Sequence, residues 1–345
     1  MDRRQFLGGM AAVGAGAAGL AAARPAQAAD VVIGLSNGYF GSEWRDQMVA
    51  GAQAQFDMYK SEGKASKLIV QQAGADINQQ IQDVRNMILQ GVSVITMDPN
   101  SGTALDSVIN EAKRAGIPVI AFDQAVQNRY ALSVTIDHYT WATRYAEWVA
   151  KTLNGKGKVV VMDGIPGNPA AETRRRAAHD VFAKYPGIDI VWSGYGYWDQ
   201  AKAQNVMATV IAAQPQIDGA FVEDSMGLGV LRAFQNARRP IPVMTAEAQK
   251  AFLLAWKQEL ASGTNMQAFA QPNPPDISRN AIGIAVRLAA GGKLKPQPNN
   301  TIYYPIHLEV TRDNIDQTLA AMKDKPDSYF LAEWFSEQQL DALFT

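Results

Sequence analysis

The chain of 345 residues contains no cysteine. That removes disulfides, thiolate nucleophiles and cysteine-held metals from its chemistry, and leaves no thiol for a lipid anchor at a processed N-terminus. Histidine is nearly as scarce. His138, His179 and His307 lie too far apart to show ligand spacing, so each reads as a structural or surface residue and no metal is expected. Charge of one sign is missing too, with 32 basic against 33 acidic side chains. The one dense basic cluster, Arg174-Arg175-Arg176, is too short to follow a phosphate backbone, so nucleic acid is not an expected partner. Beyond the N-terminus no uncharged apolar run approaches the roughly twenty residues that cross a bilayer. There is no Gly-x-Ser-x-Gly nucleophile turn and no Gly-Lys-Ser/Thr phosphate loop, and no cofactor is expected.

What is present begins with an address. Arg3 and Arg4 precede an uncharged Gly/Ala-rich run from Phe6 to Ala23, and Ala26-Gln27-Ala28 supplies a small-residue cleavage pattern, so residues 1–28 read as an export signal cut after Ala28. The paired arginines followed by Gln5, Phe6 and Leu7 resemble a twin-arginine signal, with an ordinary secretory signal as the alternative. Gly14, Gly16 and Gly19 match the spacing of a dinucleotide-binding loop, but they fall inside the removed segment, with no strand before them to aim backbone N–H groups at a pyrophosphate. Without a cysteine to carry lipid, the processed protein is expected free in the periplasm.

From Asp30 onward, short β-branched runs alternate with segments of helical period, the pattern of a parallel sheet covered by helices. Strands are expected at Val31–Leu35, Leu68–Gln71, Val94–Met97 and Val119–Phe122. Helices are expected at Glu43–Tyr59, Ile77–Leu89 and Leu105–Ala115. After Asp137 a helix over Thr140–Leu153 feeds a second series, with strands at Lys158–Met162, Ile188–Trp192, Gly219–Val222 and Ile241–Met244. Its helices are expected near Ala170–Tyr185, Gln200–Ala213, Leu228–Asn236 and Lys250–Ser262. Two such series predict an α/β protein with two doubly wound parallel sheets and a cleft between them.

Ligands of open parallel sheets bind outside the carboxyl ends of the strands. The residues there are Asn37, Tyr39 and Phe40; Asp98 and Asn100; Asp123 and Gln124; Arg174; Tyr197, Trp198 and Asp199; Glu223, Asp224 and Glu247; Gln271 and Asn273. Aromatic rings and planar hydrogen-bonding groups dominate. A sugar or polyol asks for that mixture, because each hydroxyl both donates and accepts while the C–H faces of the ring pack on aromatic side chains.

These landmarks resemble the ribose-type periplasmic solute-binding proteins, whose fold is shared with the ligand-binding part of lactose-repressor-like regulators. The likeness spans about 31–306 and rests on Ser36-Asn37-Gly38-Tyr39-Phe40, Ile117–Asp123, and Gly164-Ile165-Pro166-Gly167-Asn168 leading to Arg174. Asp224-Ser225-Met226-Gly227-Leu228-Gly229 and Ala270-Gln271-Pro272 complete it. It implies the type I periplasmic binding protein fold with a three-segment hinge near Val134–Asp137, Gln271–Pro274 and Tyr304–His307. The lobes implied are 29–134 with 272–305, and 135–271 with 306–345.

The resemblance further implies that Asn37 bonds a hydroxyl, that Tyr39 and Phe40 sandwich a ring, and that Trp198 closes over it from the other lobe. Asp123 would accept from two hydroxyls, Arg174 would donate, and Gln271 would bond near the hinge. Gln124 stands where the ribose pattern has arginine, Glu247 where it has aspartate, and its asparagine falls on Glu223 or Asp224. One cation fewer among as many carboxylates disfavours ribose itself and any phosphorylated ligand, and favours a neutral polyol, another aldose or an amino-bearing molecule. The expected activity is capture by hinged closure of a monomer and delivery to the membrane permease of an ABC importer. Presentation to a chemoreceptor, or a sugar-modifying enzyme, are the alternatives. The segment 311–345, with helical period at Ile315, Leu319 and Met322 and then Trp334, Phe335, Leu340 and Leu343, is expected to pack back on a domain.

Overall fold

A computed structural model of the protein describes residues 31–345, so the expected export signal lies outside the described residues. The first half contributes strands β1 (Val32–Asn37), β2 (Lys67–Gln72), β3 (Val94–Asp98), β4 (Val119–Phe122) and β5 (Leu132–Thr135). Between them run helices α1 (Glu43–Ser61), α2 (Ile77–Leu89) and α3 (Asp106–Arg114). Helix α4 (His138–Thr152) opens the second series, β6 (Lys156–Asp163), α5 (Pro169–Phe182), β7 (Gly187–Tyr195), α6 (Gln200–Ala213) and β8 (Gly219–Val222). It continues through α7 (Met226–Asn236), β9 (Val243–Glu247), α8 (Lys250–Ala261) and β10 (Ala268–Gln271). The chain then returns through α9 (Ile277–Ala289) and β11 (Thr301–Tyr303) to the first half, and ends with α10 (Ile315–Ala321) and α11 (Glu337–Ala342).

Two sheets result, with strand orders β2-β1-β3-β4-β5-β11 and β7-β6-β8-β9-β10, and every strand pair in them is parallel. Parallel strands covered by helices on both faces must be apolar throughout. Val119-Ile120-Ala121-Phe122 and Gly219-Ala220-Phe221-Val222 are buried at every position. The two-lobed α/β architecture expected from the repeated series is the one observed.

Three strands went unread in the sequence: β5, β10 and β11. All are three or four residues long, no shorter than β4 or β8 by more than one residue, and what sets them apart is that each runs directly into a crossing between the lobes. The helix α9 was also unread. It packs against both α1 and the sheet, and nine of its thirteen positions are buried.

The tail, expected on the second lobe, divides between both. Val310 bridges Ala270 at the β10 edge and Phe330 bridges Gln249, whereas Phe344 bridges Leu294 on the first lobe. Helix α11 is held on α9 by Arg287, which bonds Glu337 at 3.0 Å and Asp341 at 2.7 Å. The assignment of 306–345 to one lobe is therefore corrected for its last residues. The reason is that Leu340 covers Gly283 of α9, a helix face the sequence did not reveal.

Candidate ligand-binding site

Residues past the carboxyl ends of strands in both sheets meet around one narrow cavity between the lobes. The first lobe supplies Tyr39, Ser42, Trp44, Arg45, Asp123 and Gln124. The second supplies Arg174, Trp198 and Asp224, and Asn273 enters from the crossing after β10.

Local sequence explains how these side chains are aimed. Asn168 caps α5, its side chain accepting from Ala170 and Ala171 N–H, with Pro169 at the first helical position; this pairing of cap and proline starts a helix sharply and sends Arg174 inward. Asp123, Trp198 and Asp224 all adopt left-handed backbone, with φ of 59°, 52° and 54°, a conformation that costs a bulky residue energy and clusters at functional sites. Trp198 also needs Gly164, because a Cβ there would fall 2.0 Å from the indole Cε2.

Beneath the cavity floor Glu223 ties three groups together. Its Oε2 accepts from Arg174 Nη1 at 2.6 Å, and its Oε1 accepts from Gly164 N–H at 2.8 Å and from Trp198 Nε1 at 3.2 Å. Arg174 is 1% exposed and lies over the Trp141 ring at 4.4 Å. Burial works against its charge, yet Glu223 and Asp123 outweigh that and raise its pKa. Arg174 can only donate, so His138 Nδ1 accepts from it at 3.2 Å and Nε2 carries the ring proton, donated to the Asp123 carbonyl at 3.0 Å. Burial, and then Arg174, push the His138 pKa down to about 4. On the other lobe Arg45 pairs with Asp98 and donates to Asn37 at 3.3 Å. Burial lowers the Arg45 pKa against the pull of Asp123 and Asp224.

Of the residues singled out in the sequence, Tyr39, Asp123, Gln124, Arg174, Trp198 and Asp224 line the cavity. Four others are buried behind its wall. Glu223 makes the bonds above, Asn37 donates to Gln72 at 3.1 Å, Glu247 accepts from Asn273 N–H at 2.9 Å, and Gln271 donates to the Trp141 carbonyl at 2.8 Å. Phe40 does not line the cavity. It is 52% exposed and rests against Gly74, so the expected pairing of Tyr39 and Phe40 around one ring is not formed. Ser42, Trp44, Arg45 and Asn273 were not among the expected contacts. Asn273 stood in the strand-end set, but Trp44 reads as the apolar stripe of α1 and Arg45 as an ordinary first-turn charge. No group of side chains suited to a metal occurs among the described residues.

The model of the periplasmic binding protein domain matches residues 33–293. This chain belongs to that family. The binding protein is 29% identical over 254 residues to the xylitol-binding protein of Mycolicibacterium smegmatis, covering 72% of this chain and 70% of that one. It is 26% identical over 251 residues to the ribose import binding protein of Bacillus subtilis, covering 72% and 79%. Among solved structures, an ABC transporter solute-binding protein from Thermobispora bispora superposes with a TM-score of 0.82 at 28% identity, over 90% of this chain and 94% of the other. A periplasmic solute-binding protein from Actinobacillus succinogenes with bound D-allose gives 0.71 at 25%, over 83% and 99%. The binding protein therefore has the type I fold that the sequence landmarks implied.

Two buried carboxyls give the unliganded binding protein a distinctive response to pH. Burial and then Glu223 raise Asp163 to about 8; burial raises Asp224 to about 7 against the Ser225 N–H bond, with Glu223 adding to the rise. The native state thus keeps protons that the unfolded chain releases near 3.8, so these groups' contribution falls as pH rises toward 7–8. His138 acts the other way, because the native ring is already neutral above about 4 while the unfolded one titrates near 6.5. Above pH 6.5 the carboxyl part outweighs what is left of the histidine titration. The melting temperature of the unliganded protein is expected to fall from pH 6.5 to 8, and Asp163→Asn to flatten that fall. A melting temperature that rises over this interval would contradict a protonated Asp163.

Proposed function

We propose that this chain is the solute-binding subunit of an ABC importer that captures a sugar or polyol between its lobes and presents the closed form to the membrane permease. The observation that carries the reading is the cavity itself. Trp198 and Tyr39 offer ring faces from opposite lobes, and Asp123, Gln124, Arg174, Asp224 and Asn273 offer planar polar groups around them. Aromatic faces suit the C–H surface of a ring, and the planar groups suit hydroxyls.

Closure follows from contacts that span the cleft. Gln124 Oε1 of the first lobe accepts from Ala170 N–H of the second at 3.3 Å, and Glu43 accepts from Gln249. A ligand touching both walls binds the closed form better than the open one and shifts the population toward it. In this reading the lobes are 29–134 with 272–305 and 135–271 with 306 to about 330. The last residues belong to the first lobe, the protein acts as a monomer, no chemical step is performed on the ligand, and the export signal is removed after Ala28 in the periplasm.

Thermal denaturation of the processed protein against pentoses, hexoses, alditols, cyclitols and amino sugars tests the reading. A ligand at a thousand times its Kd adds about 4 kcal/mol, a shift far above noise. No stabilisation by any member of these classes would overturn it.

A further inference from the structure

The walls of the cavity carry more carboxyl groups than guanidiniums. Seven ionisable side chains are gathered there or directly behind: carboxyls Asp98, Asp123, Glu223, Asp224 and Glu247, and guanidiniums Arg45 and Arg174, all buried. Each guanidinium is matched by its own carboxylate, Arg45 by Asp98 and Arg174 by Glu223. Among the described residues Asp123, Asp224 and Glu247 have no cation of their own, and His138 beside them is neutral.

Hydrogen bonding tilts the same way. Gln124 Nε2 and Asn273 Nδ2 each give one N–H to Asp123, at 3.0 and 3.1 Å. Trp198 Nε1 is spent on Glu223 and Trp44 Nε1 on the Asn273 carbonyl at 2.7 Å. Acceptors are left over. Asn273 Oδ1, on a residue 4% exposed that lines the cavity, has no partner, nor does Glu247 Oε2 just behind it. Asp224 takes the Ser225 N–H at 2.5 Å on Oδ1 and has the Ser225 side chain beside it, and no cation pairs with it among the described residues. A ligand hydroxyl would bring one donor but also two lone pairs and no charge. An ammonium brings three donors, no acceptor and the missing positive charge.

Resting on the reading of this cavity as a polyol site, we propose that its ligand carries a protonated amine on a hydroxylated skeleton, with Asp224 as counter-ion and the Asn273 side-chain carbonyl as a second acceptor. Asp123 supplies further negative potential from the first lobe. The neutral hydroxyl counterpart of the same skeleton brings no cation to Asp224.

Isothermal titration at pH 7 tests this with a panel of pentoses, hexoses, alditols and cyclitols, each paired with its amino-deoxy counterpart. The tightest binder is expected to be an amine that binds at least tenfold better than its hydroxyl partner. Asp224→Asn, which keeps the acceptor for Ser225 N–H and tolerates the left-handed backbone, is expected to bring that ratio close to one. Its circular dichroism and unliganded melting curve confirm folding. A neutral compound as tightest binder, or a ratio unchanged in D224N, overturns the amine proposal and leaves the polyol reading standing. Binding by no member of either series overturns both.

Discussion

Replacing Arg174 by alanine is expected to cost the unliganded protein about 3–5 kcal/mol, because it leaves the Glu223 carboxylate buried without its cation. Glu223 is 0% exposed and its Oε2 takes its 2.6 Å bond from Arg174 alone, so no water-facing route relieves the charge. The loss is larger than for a surface ion pair, which contributes about 0–1 kcal/mol. Packing is lost as well, since the guanidinium stacks on Trp141 and its removal leaves His138 Nδ1 without a donor. Adding Glu223→Gln to the same chain removes the stranded charge and should restore a good part of the stability. Urea unfolding of the single and double variants measures both quantities. A single variant within 1 kcal/mol of the native protein would show that the pair is not desolvated as the structure has it.

Asp123→Asn is expected to act on the ligand and spare the fold. Asp123 lines the cavity from the first lobe and collects donors from two sides, Gln124 and Asn273. Hydrogen bonds to a charged acceptor contribute about 1.5–3 kcal/mol, so losing the charge lowers affinity by roughly 10- to 100-fold. Asparagine accepts the left-handed backbone that Asp123 adopts at φ 59°, and Asn273 can turn its amide to answer the new Nδ2. The unliganded stability is therefore expected to change by less than about 1 kcal/mol. Titration calorimetry with the ligand found in the screen gives the first number and thermal unfolding the second. Native affinity in D123N would remove Asp123 from the ligand contacts.

Arg174 and Asp123 were both visible as polar residues just beyond expected strands. Their different duties were not. That Arg174 pairs with buried Glu223 while still lining the cavity depends on α5 meeting the end of β8, and Asp123 faces the cavity from a left-handed turn at the end of β4. Neither relation has a local signature. Arg45 shows the same limit, since a first-turn arginine on an amphipathic helix ordinarily lies in solvent, and only the approach of β3 places Asp98 against it. Phe40 shows the converse, a ring beside the cavity in sequence that the chain carries outward to Gly74.

Local order fixes the outline of this protein. Burial on both faces of a parallel strand forces continuous β-branched runs, caps such as Asn168 and Asp137 mark where helices begin, and two repeats of that rhythm in one chain leave two sheets with a gap between them. Strand ends and their polar residues follow from the same pattern. The balance of charge in the gap, the division of the tail between lobes, and the separation of cavity-facing carboxylates from those sealed behind arise only when distant segments meet. They are set by desolvation and by pairing across more than a hundred residues of chain, as between Asp123 and Asn273, and no window of sequence contains both partners of such a contact.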